Sequence, residues 1–218
     1  MYNYLLNLVS SLSISIAAII AIIRFKKIPQ NFYPFIYLLW IGLFCEVISW
    51  VIVRVYKNNL FVGNIYVLVE SLILLWQFKK WASYRQKTGK YAVIGWIFIG
   101  VWIVDNLILH RITMLNSAFR VFSSLVLVLL SIEQINHVLV SERKNILRNA
   151  KFLLNGAFVI FFTYKALFEV FYMLRIQMSN NFYHNLFLIL TLVNLFTNLV
   201  YALAIIWIPK KQKFTLPF

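Results

Sequence analysis

The chain has 218 residues and a formal net charge of +15 at pH 7, from 21 Lys and Arg against six Asp and Glu. Hydrophobic residues make up 62% and charged residues 12%, where soluble domains hold roughly 45–50% and about 25%. A soluble fold of this size has too little interior for that much apolar side chain, and 18% aromatic residues exclude a disordered chain. The composition is that of a polytopic membrane protein in a lipid bilayer.

A helix needs about 20 mostly apolar residues to cross the hydrocarbon core, and seven stretches meet that requirement. Span 1 runs from Tyr4 to Ile23; it lacks a preceding positive region and a small-residue cleavage site, so it reads as a retained helix. Arg24, Lys26 and Lys27 follow it. Span 2, Pro34 to Val53, carries Cys45 and Glu46 and exits through Arg54, Lys57, Asn58 and Asn59. A lone cysteine makes neither an internal disulfide nor a zinc site, so Cys45 reads as a small core residue. Span 3, Leu60 to Phe78, holds Asn64 and Glu70, and the basic run Lys79, Lys80, Arg85, Lys87 and Lys90 comes after it. Span 4, Tyr91 to Leu109, ends in Asp105 and Asn106.

Span 5, Ala118 to Val140, contains Arg120 near its start and Glu133, Gln134 and Asn136 near its end. A loop with Glu142, Arg143, Lys144, Arg148 and Lys151 leads to span 6, Phe152 to Leu174, with Lys165 and Glu169. Arg175 and the pair Asn180-Asn181 precede span 7, Leu186 to Ile208, which carries Asn194, Asn198 and Tyr201. The four loop asparagines, 58, 59, 180 and 181, read as loop or helix-cap residues. Tyr4, Trp81 and Trp207 read as interface anchors.

Sorting the basic residues by side places fifteen on one face, counting the tail residues Lys210, Lys211 and Lys213. Arg54, Lys57, Arg111 and Arg175 are on the other, and Arg120 and Lys165 fall within spans. The excess of positive charge on cytoplasmic loops therefore predicts a cytoplasmic C-terminus and an external N-terminus. The same placement assigns the charge to topology and to contact with anionic lipid head groups, with no role for nucleic acid. The expected location is the bacterial inner (plasma) membrane.

The second half of the chain echoes the first. Leu43-Phe44-Cys45-Glu46-Val47, Arg54, Asn58-Asn59 and Asn64 find counterparts in Leu167-Phe168-Glu169-Val170, Arg175, Asn180-Asn181 and Asn185. Ser10-Ser11-Leu12 matches Ser123-Ser124-Leu125. The expected architecture is an all-α bundle of seven transmembrane helices with a 3+1+3 parallel repeat. Its units lie at about residues 4–78 and 118–208, and span 4, residues 91–109, links them. In topology this plan resembles the heptahelical group that includes microbial rhodopsins and the SWEET and PQ-loop transporters. A retinal protein would carry a Schiff-base lysine midway along the seventh helix, and no lysine lies between Leu186 and Ile208. Pro29-Gln30 matches a PQ dipeptide, but it sits in a loop and has no counterpart in the second repeat.

Of the six acids, Glu46, Glu70, Asp105, Glu133 and Glu169 fall inside spans. An ionised side chain at the bilayer centre costs several kcal/mol, roughly 2.5–3.5 on insertion scales, and so marks a functional site. The expected pocket comprises Glu46, Asn64, Glu70, Asp105, Asn106, Arg120, Lys165 and Glu169, open to the outside. Lys165 and Glu169, four residues apart on one helical face, are expected to pair. A second polar line of Asn194, Asn198 and Tyr201, joined by Glu133 and Gln134, is expected to continue inward as a path.

The three histidines, His110, His137 and His184, divide between the two faces and do not gather around one zinc. No Gly-rich phosphate loop or nucleophile elbow occurs in the sequence. No metal, cofactor or catalytic role is expected. The leading expectation is a receptor-like sensor that binds a small ligand or ion and acts through a cytoplasmic or membrane signalling partner, or through a second copy of itself. A small-molecule, cation or proton transporter, or a channel, is the alternative. No span has an interior proline, which favours stiff, continuous helices over broken ones.

Overall fold

The computed structural model describes residues 6, 9–82, 89–109, 112–141, 146–174 and 180–210. Arg85, Lys87, His110, Arg111, Glu142, Arg143, Lys144, Arg175, Lys211 and Lys213 lie outside the described residues, as does Tyr4. All elements described are helical. They are α1 (Ile14–Arg24), α2 (Tyr33–Tyr56), α3 (Leu60–Trp81), α4 (Gly89–Ile103), α5 (Ser117–Ser141), α6 (Ala150–Met173) and α7 (Asn180–Trp207). Seven helical stretches are long and apolar enough to cross a membrane, the first running Val9–Lys27 when its flanking turns are included. The chain is an integral membrane protein.

The ends of the helices follow local chemistry. Pro34 opens α2 in the first turn, where its missing N–H has no intrahelical partner to lose. That turn is also capped from α3: Gln77 Oε1 accepts from Phe35 N at 2.8 Å and Gln77 Nε2 donates to Asn31 O at 2.6 Å. Lys57 ends α2 in a left-handed conformation, φ 56°, with its N–H returned to Val53 O. The Asn58 side chain accepts from Leu60 N at 2.9 Å, and the Asn149 side chain caps α6 by accepting from Lys151 N at 2.8 Å. The last turn of α7 is closed from α1, where Arg24 donates to Ile206 O and, at 3.1 Å, to Ile208 O. A cation at a helix C-terminus satisfies orphan carbonyls and the helix dipole together.

Two boundaries depart from the sequence reading. The final helix begins at Asn180, six residues before the expected Leu186, so Asn181 is helical rather than a loop residue. Its 28 residues span about 42 Å at 1.5 Å per residue, longer than the hydrocarbon core of about 30 Å. Hydropathy detects only the portion in lipid. Span 4 is not α-helical to its end: Val104–Leu109 form a π-helical segment, which brings both Asp105 and Asn106 to the protein interior at 2% exposure. A π turn inserts a residue into the helical register, so two consecutive side chains face inward where an α-helix presents one.

Neighbours in sequence pack together, and α1 closes the ring against α7. Ala17, Ala18 and Ala21 on α1 are fully buried, and such small side chains let helix backbones approach closely. α4 packs on α3 and α5, which also touch each other. The half of the bundle nearest the basic loops is filled by aromatic rings: Phe35 meets Phe158 and Tyr201 at 6.1 and 5.2 Å between centroids, and Phe78 meets Phe158 and Trp81 at 6.2 and 6.3 Å. Most of these contacts are edge-to-face, the geometry that aligns ring edges with ring faces.

Candidate functional site: a charged cavity inside the bundle

Beyond the aromatic layer, α1, α2, α3, α5, α6 and α7 enclose a cavity of about 480 Å³, and α4 contributes nothing to its lining. One wall is charged: Glu46 from α2, Glu70 from α3, Arg120 from α5, and Lys165 and Glu169 from α6. The lining also includes Ser10 and Ser11, on the turn of helix preceding α1, and Thr191, Asn194, Thr197 and Asn198 from α7. Leu38, Leu39, Leu74, Phe161 and Phe162 supply an apolar surface between them.

The charges are joined across helices. Lys165 Nζ lies 2.6 Å from Glu70 Oε2, with side chains only 12% and 8% exposed. The same ammonium sits 5.5 and 5.4 Å from the ring centroids of Phe161 and Phe162, on its own helix. Glu169 accepts from Ser117 Oγ at 2.5 Å and from Arg120 Nη1 at 3.3 Å. The expected Lys165–Glu169 pair is therefore replaced by two interhelical pairs, α6 to α3 and α6 to α5. The physical reason is direction. Helical side chains slant toward the helix N-terminus, and a Lys four residues before a Glu is the poorer order for an i,i+4 pair. Glu169 also gains a hydroxyl donor from α5 that Lys165 does not replace.

Arg120 is held from two sides, since its Nη2 donates to Asn64 Oδ1 at 2.9 Å. Gly63 makes the room: a Cβ there would stand 3.3 Å from Nη2. Asn64 also donates to Ile112 O at 2.8 Å and Met114 O at 2.7 Å, pinning the turn between α4 and α5. Asp105 Oδ2 accepts from Phe119 N at 2.8 Å, which makes it a tertiary cap for the N-terminus of α5. Asn106 Oδ1 accepts from Asn116 Nδ2 at 3.0 Å. Of the eight residues grouped by sequence, five line the cavity. Asn64, Asp105 and Asn106 lie outside its lining and brace the loop and helix that carry Arg120.

The second polar line also divides. Asn194, Asn198 and Tyr201 line this same cavity. Asn194 Nδ2 donates to Ser10 Oγ at 3.1 Å and Asn198 Nδ2 to Ser13 Oγ at 2.8 Å, bonds that tie α7 to the first span. Glu133 pairs instead with Lys90 at the start of α4, 2.5 Å away, at the basic end of the bundle. Gln134 is buried, but neither it nor Glu133 lines the cavity, and Asn136 is exposed. Of the residues expected to form an inward path, Asn194, Asn198 and Tyr201 share the cavity lining and Glu133 and Gln134 do not.

Sequence reasoning missed Tyr66, Thr191 and Thr197 on the cavity wall, and Gln77 and Ser117 as partners. Hydroxyl residues in transmembrane helices carry little signal, since they satisfy themselves on the preceding turn, as Thr191 Oγ1 does by donating to Phe187 O at 2.8 Å. Toward the sparsely charged end, a crevice of about 920 Å³ adjoins the cavity. Leu115, Phe168 and Phe187 line both spaces, and the two Phe rings pack together with centroids 6.3 Å apart. Among buried side-chain atoms, Arg120 Nε and Thr197 Oγ1 have no hydrogen-bond partner within the described residues.

The fold and site define a seven-helix membrane protein with an internal, charged cavity. Compared with protein-family models, curated proteins and solved structures, the chain matches none.

Proposed function

We propose that this is a heptahelical sensor, a receptor-like protein that admits a small ligand or ion from outside and signals through a partner on its basic face. The observation that carries the reading is the one-sided cavity: a charged chamber with a crevice beside it at the sparsely charged end and an aromatic floor toward the basic end. A chamber with packed rings on its inner side favours holding a ligand over passing it through. The fifteen basic residues sorted to one face support a cytoplasmic position for that face and the C-terminus in a plasma membrane, against anionic head groups. The partner is a cytoplasmic or membrane signalling protein or a second copy of the chain. Glu46 and Glu169, matched in the 3+1+3 repeat expected from the sequence, both line the cavity.

The test is sided chemical access. Thr197→Cys, in a Cys45→Ser background, puts a thiol on the cavity wall with little change in volume. A membrane-impermeant cationic thiosulfonate should modify it in right-side-out vesicles and leave it unmodified in inverted ones. Modification from the basic face would mean that the floor opens, and the transporter or channel reading would replace the sensor. No modification from either side would remove the outward cavity.

A further inference from the structure

We propose that the cavity takes a small primary ammonium ion, held by Glu46 and by the amide oxygens of Asn194 and Asn198, with its carbon body on the apolar wall; this rests on the cavity being a ligand site. The first argument is charge. Five ionisable side chains other than tyrosine line the space, and the pairs Lys165–Glu70 and Arg120–Glu169 use four of them. Glu46 remains, and among the described residues it has no basic partner. Its neighbour is the Ser11 hydroxyl, which is neutral.

The second argument is hydrogen-bond direction. Ser10 spends its one hydroxyl proton on Thr191 O at 2.9 Å, and Ser13 spends its own on Ser10 O at 2.5 Å. Both serine oxygens are then left only as acceptors, so the groups that Asn194 and Asn198 present to them must be NH₂. The network itself fixes how the two amides are turned. Their oxygens accept no hydrogen bond from the described residues. Thr197 Oγ1, 1% exposed and unpartnered, lies on the same wall. The open capacity of the cavity is thus rich in acceptors and carries one unneutralised carboxylate, which complements a cation bearing several N–H donors. Donors also line the space, at Arg120 Nε, Lys165 Nζ and the Tyr66 and Tyr201 hydroxyls, but three carboxylates against two cations disfavour an anion there.

The third argument is size and surface. About 480 Å³ is far more than a bare metal ion fills, and no group of three or more His, Cys, Asp or Glu suited to a metal occurs among the described residues. Leu38, Leu39 and Phe161 offer surface that only a carbon skeleton covers.

The test is thermal unfolding of the full chain in bilayer nanodiscs with four probes: propylammonium, 1-propanol, propionate and sodium. Propylammonium alone should raise the midpoint saturably, and Glu46→Gln should weaken that response at least about 10-fold, as loss of a charged hydrogen bond does. An equal rise with 1-propanol or sodium, or a response to propionate in place of the cation, overturns the ammonium assignment and leaves the ligand site standing. Silence from all four overturns the assignment as well, and access at Thr197→Cys then decides whether the cavity is a site at all. The four-probe comparison uses the natural chain, so it holds even if Glu46→Gln fails to insert.

Discussion

Breaking the Lys165–Glu70 pair from one side should cost far more than removing it whole. At 2.6 Å and an effective dielectric of about 20, the Coulomb attraction is about 6 kcal/mol. Desolvation of two side chains that are 12% and 8% exposed offsets much of it. A single change, Lys165→Met or Glu70→Leu, leaves the other charge buried and should destabilise by about 3–5 kcal/mol. The double Glu70→Leu/Lys165→Met replaces the pair with apolar volume and should be close to neutral, giving a coupling of at least about 2 kcal/mol. The comparison cycle is Lys165→Met/Glu169→Leu. There each single change strands a partner on another helix, Glu70 or Arg120, and the double strands both. Its cost should approach the sum of the singles, with coupling below about 1 kcal/mol. Equilibrium unfolding in mixed micelles, followed by tryptophan fluorescence, measures both cycles. A larger coupling for residues 165 and 169 than for residues 70 and 165 would refute the interhelical assignment.

Asp105→Ala should remove the acceptor for Phe119 N and lower stability by about 0.5–2 kcal/mol, the range for loss of a helix N-cap; an unchanged unfolding midpoint would show that the cap carries nothing. A reporter active only in the cytoplasm should give signal when fused after Phe218 and none when inserted at Asn58. The reverse pattern would invert the orientation and turn the cavity toward the cell interior.

How far the sequence reached depends on which force placed each residue. Apolar length located all seven spans, because hydrophobic thickness is a property of the segment alone. It failed at the start of α7, where Asn180, Asn181, His184 and Asn185 make the first turns of the helix mostly polar. The scarcity of acids marked the interior correctly as far as Glu46, Glu70 and Glu169, which line the cavity. Burial did not separate cavity lining from brace, so Asp105 and Asn106 were grouped with the pocket although a π turn aims them at α5 and its preceding loop. The Lys165–Glu169 pair was read from spacing, where the order of the two residues was the better guide. Gln77 gave no sign of its task, since capping α2 depends on a neighbour 42 positions away in sequence.

A ligand acts as a signal only if it binds two arrangements of the protein unequally. Under the sensor reading, the charged layer gives a bound cation a means to discriminate in this way. α6 carries a base bonded to α3 and an acid bonded to α5, so its position is set by both pairs at once. A cation arriving beside Glu46 attracts the same carboxylates that hold Lys165 and Arg120, and it repels those two side chains. An arrangement in which α6 moves to widen those distances therefore gains free energy from the bound cation, while the empty cavity favours the closed pairs. Asn194 and Asn198 bind α7 to the first span through neutral NH₂-to-serine bonds, which leave their amide oxygens to the cation. Under the sensor reading, the first span and α7 are the fixed frame, and α6 is the element whose displacement carries ligand occupancy toward the basic face.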